Sequence, residues 1–362
     1  MVLALRWRAR GRWAKNGGMR AAILRRGEIV VDELPDPIPT EGQVLVETVA
    51  CGICGTDLHA RRHADEFVAA SRACGMAIFD WDTARDVVMG HEFSARVLDV
   101  GPGVDKVTPG ELIVAHPALR TAGGLRSIGY SNEHPGGFAQ RMVLGAEGVL
   151  RVPVDADPVA CALTEPVAVG LHAVNASWVD RTKSAIVLGC GPVGLATIVA
   201  LALRGVPLIV AADFSPARRA LASSLGAHVV IDPGTDEPVA TWRASGGHGP
   251  TVVFDAVGVP GMIDSAMRAA PRHSQILVVG LCMPTDTMWP AVGINKELTI
   301  SFVLGWNAGE FADSLDAIAS GRVDVTSLIT GHVDLDGVAG AFEALANPET
   351  HVKVLVRPNG SA

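Results

Sequence analysis

The chain is short of charge. Only 19% of its 362 residues are Asp, Glu, Lys or Arg, and the formal net charge is −8. A general nucleic-acid-binding surface needs a basic excess, and none is present. Cysteine is scarce too: six residues, at 51, 54, 74, 161, 190 and 282. That density builds no disulfide framework and fits a reducing, cytoplasmic compartment. No internal repeat or low-complexity tract stands out. Hydrophobic residues reach 49%, enough for a large core, and disorder is disfavoured. The length predicts two domains rather than one.

Two segments need separate treatment. Residues 185–203 are almost wholly apolar and about long enough to span a bilayer. They also hold Gly189, Gly191, Pro192 and Gly194. A strand, a glycine turn and a buried helix account for the same residues, so no membrane segment is expected. Residues 1–18 carry Arg6, Arg8, Arg10, Arg12 and Lys15 but no acid. A transit-type segment has such a composition. The reading adopted is a disordered extension, with the folded chain starting at Met19.

From there to about residue 150 the pattern is β-rich. QVLVETVA alternates with the period of a half-buried strand. GHEFSARVLDVGPGV and PGELIVAH read as strands between Gly/Pro turns. Helical periodicity is confined to ADEFVAASRACGMA. From about Leu171 short apolar strands alternate with helices, which predicts a parallel sheet covered on both faces. After residue 305 come one more helix and a strand, KVLVRP, expected to return to the first domain. The predicted class is α/β plus β. It comprises a barrel-like β domain (19–171), a doubly wound parallel-sheet domain (172–305) and a return segment (306–362).

GCGPVG, residues 189–194, fits G-x-G-x-x-G after an apolar strand and before a helix. Gly189 permits the tight turn, Gly191 lets a pyrophosphate approach, and Gly194 allows close helix–strand packing. Amides at the helix start, around Pro192 and Val193, favour phosphate. Asp213 ends the next strand, where a carboxylate accepts from ribose hydroxyls and repels a 2′-phosphate. NAD is therefore expected over NADP. Arg218 and Arg219 are the residues that would argue for NADP.

CGICGTDLHA, residues 51–60, poses the metal question. A redox C-x-x-C opens a helix in a thioredoxin-like unit, whereas Cys51 ends a predicted strand. A structural zinc site needs four ligands, and no second pair exists. A catalytic site needs three or four ligands from distant parts of the chain. Cys54, His91 or Glu92 in GHEFS, and Glu165 in LTEPVAVGLHA are the candidates.

ICGTDLH, MGHEFSARVLDVGPGV, GGFAQ, LTEPVAVGLHAV, VLGCGPVGL and KVLV occur in that order. Together they resemble the zinc-dependent alcohol dehydrogenases of the medium-chain dehydrogenase/reductase superfamily. The likeness covers residues 19–358 and is nearest to the sorbitol, butanediol and threonine dehydrogenase branch. It implies a GroES-like β-barrel domain, a Rossmann NAD-binding domain, and a homodimer or homotetramer. It implies Cys54 and His91 as zinc ligands, Glu92 as a ligand or close neighbour, and Glu165 as a direct or water-mediated ligand. Asp57 would orient His91. Thr56 and His59 would relay the proton released when an alcohol is oxidised, and the hydride would go to the nicotinamide.

Two departures matter. The family's four-cysteine lobe corresponds here to HPALRTAGGLRSIGYSNEHPGG, which has no cysteine. One catalytic zinc and no structural zinc are expected. The 37 positions between Cys54 and His91 are also more than the family usually has. The excess, near residues 61–88, is expected at the substrate mouth, with Cys74 buried inside it. A secondary alcohol or polyol is the expected substrate. The competing readings are a zinc-free, NADPH-dependent enone or quinone reductase of the same fold, and a non-catalytic NAD-binding protein.

Overall fold

The computed structural model describes residues 13–121, 123–347 and 349–360. Most of the expected extension, residues 1–12, lies outside them. β1 (Trp13–Arg25) and β2 (Glu28–Pro37) form an antiparallel hairpin, with strand assignment from Trp13 and unbroken register from Gly18. Its two-residue turn, Arg26 and Gly27, has positive φ at both positions, which matches the twist of paired strands.

The first domain centres on a seven-stranded sheet. β3 (Gln43–Gly52), β4 (Glu92–Val100) and β5 (Leu112–Ala115) run through it, flanked by β8 (Arg141–Gly145) and β9 (Val149–Arg151). Between β3 and β4 lie α1 (Gly55–Arg62) and α2 (Ala64–Ala73). Between β5 and β8 a small hairpin, β6 (Ala118–Thr121) and β7 (Gly124–Ser127), forms the cysteine-free lobe. Sequence periodicity predicts α2 but misses α1, an eight-residue helix whose inner face buries only Asp57 and Ala60. Cys74 caps α2 and is exposed, contrary to the burial expected of it.

α3 (Pro158–Cys161) and α4 (Thr164–Asn175) lead into the second domain. There β10 (Ala185–Leu188), β11 (Ile209–Ala212), β12 (Val229–Ile231), β13 (Val252–Asp255), β14 (Gln275–Val278) and β15 (Thr299–Phe302) are all parallel. Their order is β12-β11-β10-β13-β14-β15, so the winding reverses between β10 and β13. α5 (Pro192–Arg204), α6 (Pro216–Ser224), α7 (Pro238–Ala244), α8 (Met262–Ala269) and α9 (Pro290–Lys296) connect them. The apolar run at 185–203 is thus β10, the glycine turn and most of α5. No helix among the described residues is long and apolar enough to cross a membrane.

The return segment carries α10 (Ala308–Ala319), β16 (Ile329–Val333), α11 (Val338–Ala344) and β17 (Lys353–Val356). β17 pairs antiparallel with β3, placing Leu355 opposite Gly52 and Val356 opposite Cys51. The chain therefore closes its first domain with its last strand. One apolar core fills the first domain. A second joins α3, α4, α5 and α10 beneath the parallel sheet, and a third covers the sheet's other face.

Candidate active site

Three turns deliver the metal-ligand candidates. Cys54 is the N-cap of α1, His91 and Glu92 stand where β4 begins, and Glu165 sits in the first turn of α4. Donor atoms of Cys54, His91 and Glu92 all lie within 4.8 Å of one another. Glu165 is buried nearby but is not among them. Soft thiolate, imidazole and carboxylate are donors that zinc accepts.

Cys51, in contrast, is fully buried in the β3 strand end, with its sulfur packed under Gly90 and Gly137. Burial pushes its thiol well above the ordinary range. The C-x-x-C pair is therefore split between a packed residue and a candidate ligand.

The site's field favours a cation. Burial works against a charge on His91, yet the negative charges of Asp57 and Cys54 outweigh it and hold its pKa well above normal. A negative charge that favours the imidazolium favours a bound cation for the same Coulombic reason. Loss of water raises the Cys54 thiol, and Glu92's charge adds to this. Desolvation likewise lifts Glu165 to about 8.

Lys353 answers this concentration of acid. It is 1% exposed, and its Nζ donates to both Glu92 oxygens, at 2.8 and 2.6 Å, and to the Ile53 carbonyl. The Glu92 carboxylate needs the space above Gly52, where a Cβ would stand 2.1 Å from Oε2. KVLV is legible as a closing strand, but its lysine's role depends on a partner 261 positions away.

Asp57 does face His91, but less directly than expected. Its Oδ2 accepts from the Cys54 amide at 2.9 Å, and its Oδ1 is 3.5 Å from His91 Nδ1. Tyr130, the chain's single tyrosine, stands between them. Its hydroxyl donates to Asp57 Oδ1 at 2.7 Å and lies 3.2 Å from His91 Nδ1. Sequence reading misses this residue.

Thr56 Oγ1 lies 3.5 Å from Cys54 Sγ. His59 is three positions further along α1, so both side chains lie on one side of the helix. Partial burial and the neighbouring His63 and Arg62 charges lower the His59 pKa.

In the second domain, Gly189 has φ 88°, and Gly194 leaves only 1.9 Å between a notional Cβ and the Gly189 carbonyl. Both positions require glycine. Gly191 is the N-cap of α5, with Pro192 and Val193 opening the helix. Asp213 accepts from the Cys190 amide at 2.7 Å and the Ser215 amide at 2.8 Å, which leaves lone pairs for further donors. Arg218 Nη1 is the atom nearest a notional Gly191 Cβ, at 3.8 Å. Its Nε is buried without a hydrogen-bond partner. An unpaired guanidinium nitrogen beside a helix N-terminus fits a phosphate-bearing cofactor. Arg219 is engaged instead with the Asp213 and Phe214 carbonyls and Asp232.

Residues 40–154 match the alcohol dehydrogenase GroES-like domain, and residues 192–320 match the zinc-binding dehydrogenase domain. The (R,R)-butanediol dehydrogenase of Bacillus subtilis is 30% identical over 342 residues, 92% of this chain and 97% of that protein.

The chain belongs to the zinc-type alcohol dehydrogenase family.

The family's solved structures agree. The 2R,3R-butanediol dehydrogenase structure from Bacillus subtilis superposes with a TM-score of 0.82 at 29% identity, covering 94% of this chain and all of that one. A zinc-binding dehydrogenase from Sinorhizobium meliloti 1021 bound to NADP gives 0.81 at 26% identity, covering 95% and 100%. As a zinc-type alcohol dehydrogenase, this chain is an oxidoreductase with a GroES-like and a Rossmann-like domain.

Proposed function

We propose that the chain oxidises a secondary alcohol or polyol with NAD and reduces the corresponding carbonyl. The convergence of Cys54, His91 and Glu92 carries this reading. These three would hold one zinc ion, with Glu165 as the further carboxylate at its edge. Bound there, zinc acts as a Lewis acid that eases loss of the alcohol proton. Thr56 accepts that proton at its hydroxyl, and His59 passes it outward. His59 suits the last step because an imidazole takes up and releases protons near neutral pH. Glycines 189, 191 and 194, with Pro192 and Val193, seat the pyrophosphate, and Asp213 binds the adenosine ribose.

The substrate class rests on the name of the butanediol dehydrogenase relative. The test is a panel of alcohols, diols and polyols, scored by NADH formation on purified, zinc-quantified protein. Zinc near one per chain, with turnover lost in Cys54→Ser, supports the reading. Metal-free protein with full turnover overturns it. A second cofactor reading has its own support. The orphaned Arg218 nitrogen and the NADP-bound relative favour a 2′-phosphate. A lower KM for NADP than for NAD would decide for it.

Assembly through the second domain completes the proposal. Among the described residues β15 pairs only with β14, which leaves a free sheet edge. Beside it Ile294, Phe302 and Leu304 are 74%, 72% and 67% exposed. Two copies related by a twofold axis would pair these edges and bury the patch. Light scattering is expected to show a dimer that Phe302→Glu dissociates. Six unpaired cysteines and a thiolate ligand suit a reducing, cytoplasmic setting.

A further inference from the structure

The excess residues between α1 and β4 do more than lengthen a loop. Phe67 of α2 stacks on the Tyr130 ring at 5.6 Å between centroids and 25° between planes. Trp81 lies 5.7 Å away at 30°, and Phe79 meets the ring edge-on at 5.9 Å. Three rings of one segment thus cluster against one phenol, with Phe67 itself only 5.3 Å from Trp81 and 5.7 Å from Phe79. Hydrogen bonds lock the same two pieces of chain together. Asn132, two residues past Tyr130, accepts from the Asp82 amide at 2.8 Å and donates to the Asp82 and Asp86 carbonyls.

The phenol so held has one proton to give. Tyr130 is buried, with its hydroxyl held between Asp57 Oδ1 at 2.7 Å and His91 Nδ1 at 3.2 Å. Its hydrogen goes to Asp57 Oδ1, the shorter contact, because a carboxylate can only accept. What the hydroxyl offers to His91 Nδ1 at 3.2 Å is then a lone pair. Nδ1 must carry the ring hydrogen. The other ring nitrogen, Nε2, is then the one left to offer its lone pair to a metal once its proton is displaced.

We propose that Tyr130 is a positioning residue for the metal site, fixing the tautomer and tilt of His91, and that Phe67, Phe79 and Trp81 exist to seat it. The proposal rests on the metal site proposed above. It gives the insert a task distinct from contacting substrate. The lobe that lacks cysteine would be braced by aromatic packing, and the bracing would end at a zinc ligand.

The experiment measures zinc affinity by competition with a chromophoric chelator, on parent protein, Tyr130→Phe, Phe67→Leu and Trp242→Phe. Trp242 is buried in the second domain's core and serves as a stability control. Removing a group that orients a metal-bound histidine typically weakens metal affinity about 10–100-fold. Tyr130→Phe is expected in that range, Phe67→Leu in the same direction by a smaller factor, and Trp242→Phe at the parent value. The cobalt-substituted protein adds a second readout: Tyr130→Phe should shift the visible ligand-field bands, which a loss of stability alone does not move. Equal affinity and unchanged cobalt bands in folded Tyr130→Phe overturn the proposal. So does equal weakening in Trp242→Phe. If Tyr130→Phe does not fold, Phe67→Leu decides, and parent-like affinity there overturns it. A parent that binds no zinc overturns the metal site itself, which is a different failure.

Discussion

At the scale of single residues, the Glu92–Lys353 pair carries the largest electrostatic stake. Both side chains are 1% exposed. Breaking a buried pair by removing one partner leaves an uncompensated charge and costs about 3–5 kcal/mol. Lys353→Met is therefore expected to destabilise the metal-free protein by that order in urea titrations. Added zinc should restore part of the loss, because a ligand that binds only the folded state stabilises it by mass action. Glu165 makes a second case. Its carboxyl titrates near 4.5 in an ordinary environment and at about 8 in the fold. The folded chain keeps a proton that the unfolded chain releases between those values. Stability from this group is full below about pH 4.5 and is lost as pH rises toward 8. Urea midpoints of metal-free protein should fall across that window, and Glu165→Gln should flatten the slope.

Legibility differs sharply among these residues. Cys54, His91 and Glu165 stand out as candidates because each sits in a local pattern that marks a turn, and the structure gathers Cys54 and His91 with Glu92 rather than Glu165. Gly189, Gly191 and Gly194 are readable for steric reasons that act within six residues. Lys353 and Tyr130 are not. Their neighbours explain neither, and their roles exist only through partners 261 and 73 positions away. A lysine inside an apolar strand and a lone tyrosine in a glycine-rich lobe are the signals that remain.

At the scale of elements, the decisive junction is α4 against α5. α4 begins at the Glu165 turn, and α5 begins at the cofactor turn. Gly170 lets them touch: a Cβ there would stand 2.4–2.7 Å from the Ala196–Thr197 backbone. Backbone cannot swing aside as a flexible side chain can. Overpacking of this kind typically costs about 1–3 kcal/mol. Gly170→Ala should lower the urea midpoint accordingly and weaken NADH binding measured by fluorescence. The strand and helix order of the second domain is legible from alternation alone. α1 escapes periodicity because its inward face is shared between the site and the core. Of its two buried residues, Asp57 faces His91 and Ala60 joins the core.

At the scale of the whole molecule, the two domains are joined by a shared core as well as by a linker. α3 and α4, entering the second domain, pack with α10, which is already on the way back. Cofactor binding should therefore stabilise both domains together. A saturating dinucleotide at about 100 times its Kd adds roughly 2.7 kcal/mol. Calorimetry is expected to show one transition that moves up as a unit. Two transitions, with only one responding, would mean that the shared core does not couple them.

The place of β17 has a consequence for synthesis. The strand lies between β16 and β3 in the first domain's sheet, and its lysine pairs with Glu92 in the proposed metal site. Yet it follows every other strand of that sheet in the chain. A nascent chain can wind its six parallel strands while β3 still has an open flank and Glu92 has no cation. The first domain can thus complete its sheet only after the second domain's strands have been made.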